Sequence, residues 1–192
     1  WACECGNCRG RCIDPPVQEA PPRYVIIDLG TLGGAVSTAL AINDLGQVVG
    51  GADLPNGERH AFLWERGVIT DLGLVENFAW TEGWAVNNLT QIVVLTSGRS
   101  FLWENGTMTR IGPSNRVIHA NAINDSGQVV GDFIDPVNSK NHAFLWENGV
   151  FTDLTTIGFE SAGAQDINNL GHVVGGGTNV WIDDVNVPLP AF

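Results

Sequence analysis

Between residues 24 and 182 the apolar residues fall in runs of four to six, rich in Val, Ile, Phe and Trp, and each run is cut by Gly, Asn or Asp. Runs of that length between turn residues predict β-strands. The cuts recur in kind. Asn43-Asp44-Leu45-Gly46, Asn87-Asn88-Leu89-Thr90, Asn124-Asp125-Ser126-Gly127 and Asn168-Asn169-Leu170-Gly171 read as tight turns, in which Gly supplies φ > 0 and Asx side chains bond nearby backbone. Glu104-Asn105-Gly106 and Glu147-Asn148-Gly149, each following a Trp, predict a second hairpin turn.

These segments belong to an internal repeat. Ala39–Gly50, His60-Ala61-Phe62-Leu63-Trp64-Glu65 and Val68–Gly73 return almost unchanged as Ala120–Gly131, His142-Ala143-Phe144-Leu145-Trp146-Glu147 and Val150–Leu154. A looser copy covers Ala85–Val94, Arg99–Gly106 and Met108–Gly112, and a truncated one Asp166–Gly175 with Val180-Trp181-Ile182. The anchoring asparagines stand 44, 37 and 44 residues apart, the length of a four-stranded unit in propeller-type repeats. Small residues, Ala39, Gly83, Ala120 and Ala164, precede the end of each first strand and predict an inner strand in crowded surroundings. The run His-Ala-Phe-Leu-Trp is apolar on both faces, which predicts a strand held between neighbouring sheets. The fold class expected is all-β: a four-bladed β-propeller-like body of short antiparallel four-stranded units, with an extended Cys-rich N-terminal head.

Counting strands gives four for each of the first three units, three for the last, and one extra, Tyr24-Val25-Ile26-Ile27-Asp28-Leu29-Gly30, of the closing Thr-Asp-Leu-Gly type. This orphan strand is expected to complete a sheet. It would close the chain's own ring and remove two open edges, or add to the next molecule. Tyr24, Val25, Ile26 and Ile27 are therefore assembly candidates.

The residues 24–182 resemble the extracellular HAF-repeat family, through the His-Ala-Phe at 60–62 and 142–144 and through Asp28-Leu29-Gly30-Thr31-Leu32-Gly33-Gly34, which is similar to that family's between-repeat linker. The resemblance implies a secreted or surface-exposed bacterial or archaeal protein of β-propeller-like fold, and no catalytic residues. The chain departs from the pattern at Arg99-Ser100-Phe101, at Thr178-Asn179-Val180 and in its head.

That head spans residues 1–13 and holds all four cysteines, Cys3, Cys5, Cys8 and Cys12; a spacer over 14–23 with four prolines joins it to the repeat domain of 24–192. Four cysteines so close can form two disulfides, bind a metal through four thiolates, or cross-link chains, with a disulfide staple the leading expectation outside the cell. Export is also expected from a start at Trp1, read as a removed leader. No apolar run is long enough for a spanning helix.

Charge narrows the partners. Nine basic and 21 acidic residues give −12, and the head and spacer are neutral, so the repeat domain carries the whole excess and disfavours nucleic acid and anionic membrane. No nucleophile, base and orienter assemble into an enzyme motif, and no cofactor or metal-loop spacing is present. His60 and His142 recur at one repeat position, as do Asn43, Asn87, Asn124 and Asn168, and Trp64, Trp103, Trp146 and Trp181; recurrence points to structure. Trp80, Glu82 and Trp84 escape the repeat and share a side if extended, which makes them a ligand-binding candidate for glycan or a surface protein. The expected function is a non-enzymatic secreted structural subunit that assembles with itself through head and orphan strand. The alternative is a lectin-like or protein-binding module using the Trp80/Trp84 edge.

Overall fold

An asparagine side chain shapes the first turn of each unit. Asn43 Oδ1 accepts from the backbone N–H of Leu45 and of Gln47, at 3.1 and 2.9 Å. The Asn43 carbonyl accepts from Gly46 N–H at 3.0 Å. Asn87, Asn124 and Asn168 repeat this set. The later hairpin turns place Arg66, Asn105 and Asn148 at φ 50°, each followed by a glycine at φ 81–85°. Two successive positive φ values make a type I′ turn, whose twist matches that of paired strands.

In the computed structural model, which describes residues 24–75, 78–157, 163–176 and 180–181, these turns join strands into four antiparallel sheets in chain order. The first contains β1 (Ser37–Ile42), β2 (Val48–Asp53), β3 (Arg59–Glu65) and β4 (Val68–Gly73). The second contains β5 (Glu82–Val86), β6 (Ile92–Thr96), β7 (Arg99–Glu104) and β8 (Thr107–Arg110). The third contains β9 (Ile118–Ile123), β10 (Val129–Ile134), β11 (Asn141–Glu147) and β12 (Val150–Asp153). In the fourth, β13 (Ala164–Ile167), β14 (Val173–Gly175) and β15 (Val180–Trp181) are described. The all-β expectation and the grouping of strands into units both hold. The cysteine head of 1–13 and the spacer of 14–23 lie outside the described residues.

Successive sheets pack face to face, with β5 against β1 and β2, β9 against β5 and β6, and β13 against β9 and β10. Strand alternation then serves two neighbours at once. Ala61 and Leu63 share a cluster with Ile92, Val94 and Phe101 of the next sheet, whereas Phe62 lies in another cluster with Val48, packed by Trp64, Leu29 and Leu32. Leu102 and Val93 likewise meet Phe144, Trp146 and Val129, and Ala143 and Val130 meet Ala164, Ile167 and Val173. The double apolar face of His-Ala-Phe-Leu-Trp is thus two half-interfaces. A fully buried Phe such as Phe144 contributes about 1.5–3 kcal/mol relative to exposure.

The small residues near the first-strand ends have a more specific cause than general crowding. Every first strand carries a β-bulge against the second, the extra residue being Leu40, Trp84, Asn121 or Gln165. Next to the bulge Ala39 pairs with Gly50 and Ala120 with Gly131. A Cβ at Gly50 would lie 1.9 Å from the Thr38 carbonyl oxygen, and one at Gly131 2.0 Å from that of His119. In the second unit the glycine changes strand, with Gly83 opposite Val94.

Tyr24–Gly30 departs from expectation. The segment makes no strand, and Tyr24, Val25, Ile26 and Ile27 are exposed, Ile26 at 99%. Its repeat counterparts Val68–Gly73 pair with β3 of their own unit; no described sheet edge sits against Tyr24–Gly30, so its backbone has nothing to pair with.

Gly131→Ala is expected to lower the unfolding free energy by about 2–3 kcal/mol, because backbone must move to admit the methyl group. Gly57→Ala, at φ +86° with open space around it, should cost only about 1 kcal/mol. Urea titrations followed by tryptophan fluorescence test this, and equal losses would break the close-approach account.

Candidate functional site

The ends of the four first strands converge on a shallow polar mouth lined by Asn43-Asp44, Asn87-Asn88, Asn124-Asp125 and Asn168-Asn169, with Ile42, Val86, Ile123 and Ile167 beneath them. The turn asparagines have spare donors after shaping their own hairpins, and they use them across units. Asn43 Nδ2 donates to the Asn87 carbonyl at 2.8 Å, Asn87 Nδ2 to that of Asn124 at 2.9 Å, and Asn124 Nδ2 to that of Asn168 at 3.0 Å. The same three amides also donate to Gln47, Gln91 and Gln128 Oε1, each at 2.7 Å.

The residue after each asparagine builds a parallel relay. Backbone N–H groups of Asp44, Asn88 and Asp125 donate to Oδ1 of Asn88, Asp125 and Asn169 at 2.8–2.9 Å. Asn88 Nδ2 then donates to Asp44 and to Asp125, both at 3.0 Å, and Asn169 Nδ2 to Asp125 at 2.9 Å. Acid and amide alternate around the mouth, so every carboxylate faces donors and no two carboxylates adjoin. The backbone N–H of Asn88 and then its side-chain amide hold the Asp125 carboxyl below its usual range against the opposing effect of burial, with a lesser contribution from the Asn169 amide. With both of its oxygens so engaged, Asp125 is a poor cation ligand. Among the described residues no group of three His, Cys, Asp or Glu is placed to hold a metal ion.

The repeated histidines join strands. His60 Nδ1 lies 2.9 Å from Asp71 Oδ1, and His142 Nδ1 3.0 Å from Asp153 Oδ2, linking β3 to β4 and β11 to β12. Asp153 is raised by burial but lowered more by hydrogen bonds from Thr155 and His142, and ends below its usual value. In the second unit Arg99 and Arg110 occupy the two positions, and both donate to the Ser114 carbonyl, at 3.2 and 3.3 Å. A position that swaps imidazole and carboxylate for two guanidiniums, with loop anchoring retained, is a strand tether.

Trp80, Glu82 and Trp84 do not form the single edge that simple alternation gave. Glu82 is bound by Arg59 Nε at 2.5 Å, while Arg59 Nη1 holds Asp53 at 3.0 Å, so the carboxylate serves as an ionic latch between the first and second sheets. Trp80 forms a bridge with Arg59, and its carbonyl accepts from Thr96 Oγ1 at 2.6 Å. Trp84 is the bulged residue, 40% exposed, and the bulge breaks the parity that linked it to Glu82. Ile27 and Leu29 line an apolar groove with Leu40, Ile42 and Val48 on the open face of the first sheet. Cys3, Cys5, Cys8 and Cys12 lie outside the described residues.

Sequence reasoning took the asparagines as turn formers and missed the relays between units. The signal was present in the second turn position, where Asp44, Asn88, Asp125 and Asn169 alternate acid and amide. No protein-family model matches the chain, and no curated protein matches it.

Asp125→Ala removes the acceptor that joins the second, third and fourth units and is expected to cost about 1 kcal/mol at pH 7, the loss being limited by solvent screening. A depressed carboxyl contributes stability that is present above its unfolded value of 3.8 and is lost as pH falls through the lower folded value. The difference between variant and parent in urea should therefore shrink below about pH 4; a gap unchanged down to pH 2 would show that the Asp125 charge is not what the relay uses.

Proposed function

We propose that this chain is a non-enzymatic extracellular structural protein, a β-propeller-like body that assembles with copies of itself into a surface structure or filament through its N-terminal head and orphan strand. The observation that carries the reading is the state of Tyr24–Ile27. Four consecutive apolar side chains stand exposed beside an apolar groove on an unpaired backbone segment, although the same segment in other units is a paired strand. Exposed strand-forming sequence with free N–H and C=O groups is a template for pairing with another chain. The likeness to HAF-repeat proteins supports the extracellular setting, where the cysteines of the head would be oxidised. The strand tethers and turn relays account for the recurrent polar residues without any catalytic task. No helix among the described residues is long and apolar enough to cross a membrane.

Light scattering and negative-stain microscopy of the native chain, with and without reductant, test the reading. Masses above the 20.5 kDa of one chain, with elongated particles, are expected, and their response to reductant shows whether disulfides of the head hold them. A single chain in both conditions removes the structural-subunit reading.

A second reading has one observation in its favour, the exposure of Trp84 at an unpaired bulge, where a ring can stack on a sugar. In that case Trp84→Ala should abolish binding on a glycan array while changing stability by under about 0.5 kcal/mol, as surface substitutions do. An array without any binder leaves no support for a lectin-like role.

A further inference from the structure

The two ends of the array of sheets are complementary to each other. Within each junction the following sheet presents the Ile42-type and Val48-type residues to its predecessor. Ile123, Ile167, Ile92, Val129 and Val173 are all buried in this way and Val86 partly so, whereas on the first sheet Ile42 is 68% exposed and Val48 is buried only by its own sheet and by Leu29 and Leu32 of the N-terminal segment. The preceding sheet presents the Val49-type residue. Val49, Val93 and Val130 are wholly buried, yet their fourth-sheet counterpart Val174 is 44% exposed. Among the described residues the first sheet therefore lacks a predecessor and the fourth lacks a successor, and no packing like that of the three junctions joins β13 to β1.

The polar relay is cut at the same two places. Asn88 Nδ2 reaches a carboxylate on either side, but Asn169 Nδ2 reaches only Asp125 and Asp44 receives only Asn88. The Asn87, Asn124 and Asn168 carbonyls each accept a turn N–H and an amide from the unit before, while the Asn43 carbonyl accepts the turn N–H of Gly46. One end thus offers a carboxylate and a carbonyl, the other an amide, in the order acid, amide, acid, amide that would continue without interruption into a second chain.

We infer that the open face of the first sheet, with its groove of Ile27, Leu29, Leu40, Ile42 and Val48, receives the exposed face of the fourth sheet of a second copy, as a fourth junction of the kind that already occurs three times in the chain. This inference rests on the self-assembly reading and gives that assembly its contact. The contact is heterologous, so it generates a closed ring when the rotation permits and an open filament when it does not. The N-terminal segment Tyr24–Gly30 of the receiving chain then lies at the junction, where β15, the outer described strand of the fourth sheet, is there for it to pair with.

The test measures the mass of the 192-residue chain by size-exclusion light scattering over a range of concentrations. The parent is expected at two or more times 20.5 kDa. Ile42→Asp and Val174→Asp, on opposite ends of the array, should each return it to a single chain with an unchanged β-sheet circular dichroism spectrum. Both positions are partly open to solvent, so folding is retained. A variant with all four cysteines replaced by serine should keep the parent's minimal assembly.

Assembly insensitive to both aspartates would overturn the inference, and so would loss through Ile42→Asp alone, which would identify a symmetric face-to-face contact or a segment of the same chain in the groove. If assembly survives both aspartates but fails without the cysteines, the contact proposed here is wrong while the self-assembly reading stands through the head. A parent that is one chain at every concentration overturns both.

Discussion

The donor and acceptor on one asparagine side chain set the organisation of this protein. At 43, 87 and 124 the carbonyl oxygen of the side chain closes the unit's own turn, and the amide reaches the backbone of the next unit. Aspartate in the same place could shape the turn but would have no hydrogen to give across the junction. Each of these bonds is worth only about 1 kcal/mol net, yet Asn87 and Asn124 are buried and Asn43 half-buried, and leaving one unmade costs about 1–3 kcal/mol. Local chain reversal and long-range registration are therefore selected together, which is why a turn motif can fix the spacing of whole sheets.

The second unit shows what the repeat conserves when residues change. At the bulge, alanine opposite glycine becomes glycine opposite valine: Ala39 with Gly50, but Gly83 with Val94. Only one small partner is required for the strands to approach, and either strand can supply it. At the β3–β4 position a histidine–aspartate pair becomes Arg99 and Arg110, both turned to the Ser114 carbonyl. What persists is a strand end tied down, rather than a particular chemistry, and this argues against reading the His-Ala-Phe histidine as a reactive group.

Much of the fold was legible because turns and burial leave periodic marks. The Asn-Asx turns, the Glu-Asn-Gly hairpins, the strand grouping and the two-sided apolar strand all correspond to constraints within a few residues. Trp84 was misread because a bulge shifts parity by one residue, and nothing in the local sequence distinguishes an unpaired residue from a paired one. Glu82 was misread because its partner, Arg59, lies 23 positions earlier in another sheet. Tyr24–Gly30 has the sequence of a strand, but a strand is a property of two segments, and sequence alone does not say where the second one is. The mouth was only half legible: its residues were found, while the bonds between them span 37 or 44 positions.

The junctions themselves show how two neighbouring units change together. Across the first, Thr81 Oγ1 accepts from the Ala61 N–H at 2.9 Å and donates to the Gly73 carbonyl at 2.7 Å. Across the second, the hydroxyl sits on the other side: Ser100 Oγ accepts from the Ala120 N–H and donates to the Ile118 carbonyl, both at 2.9 Å. Ser100 stands at the Ala61 position and Ile118 at that of Thr81, so serine with isoleucine replaces alanine with threonine. A buried strand end leaves one N–H and one C=O without a ladder partner, and a hydroxyl satisfies both at once. At the first two junctions one hydroxyl does this, supplied from either side, whereas the third has alanine at both positions in the sequence, Ala143 and Ala162. At those two junctions the constraint belongs to the pair of sheets rather than to either unit, so serine or threonine on one side can be exchanged only together with the residue it faces across the junction.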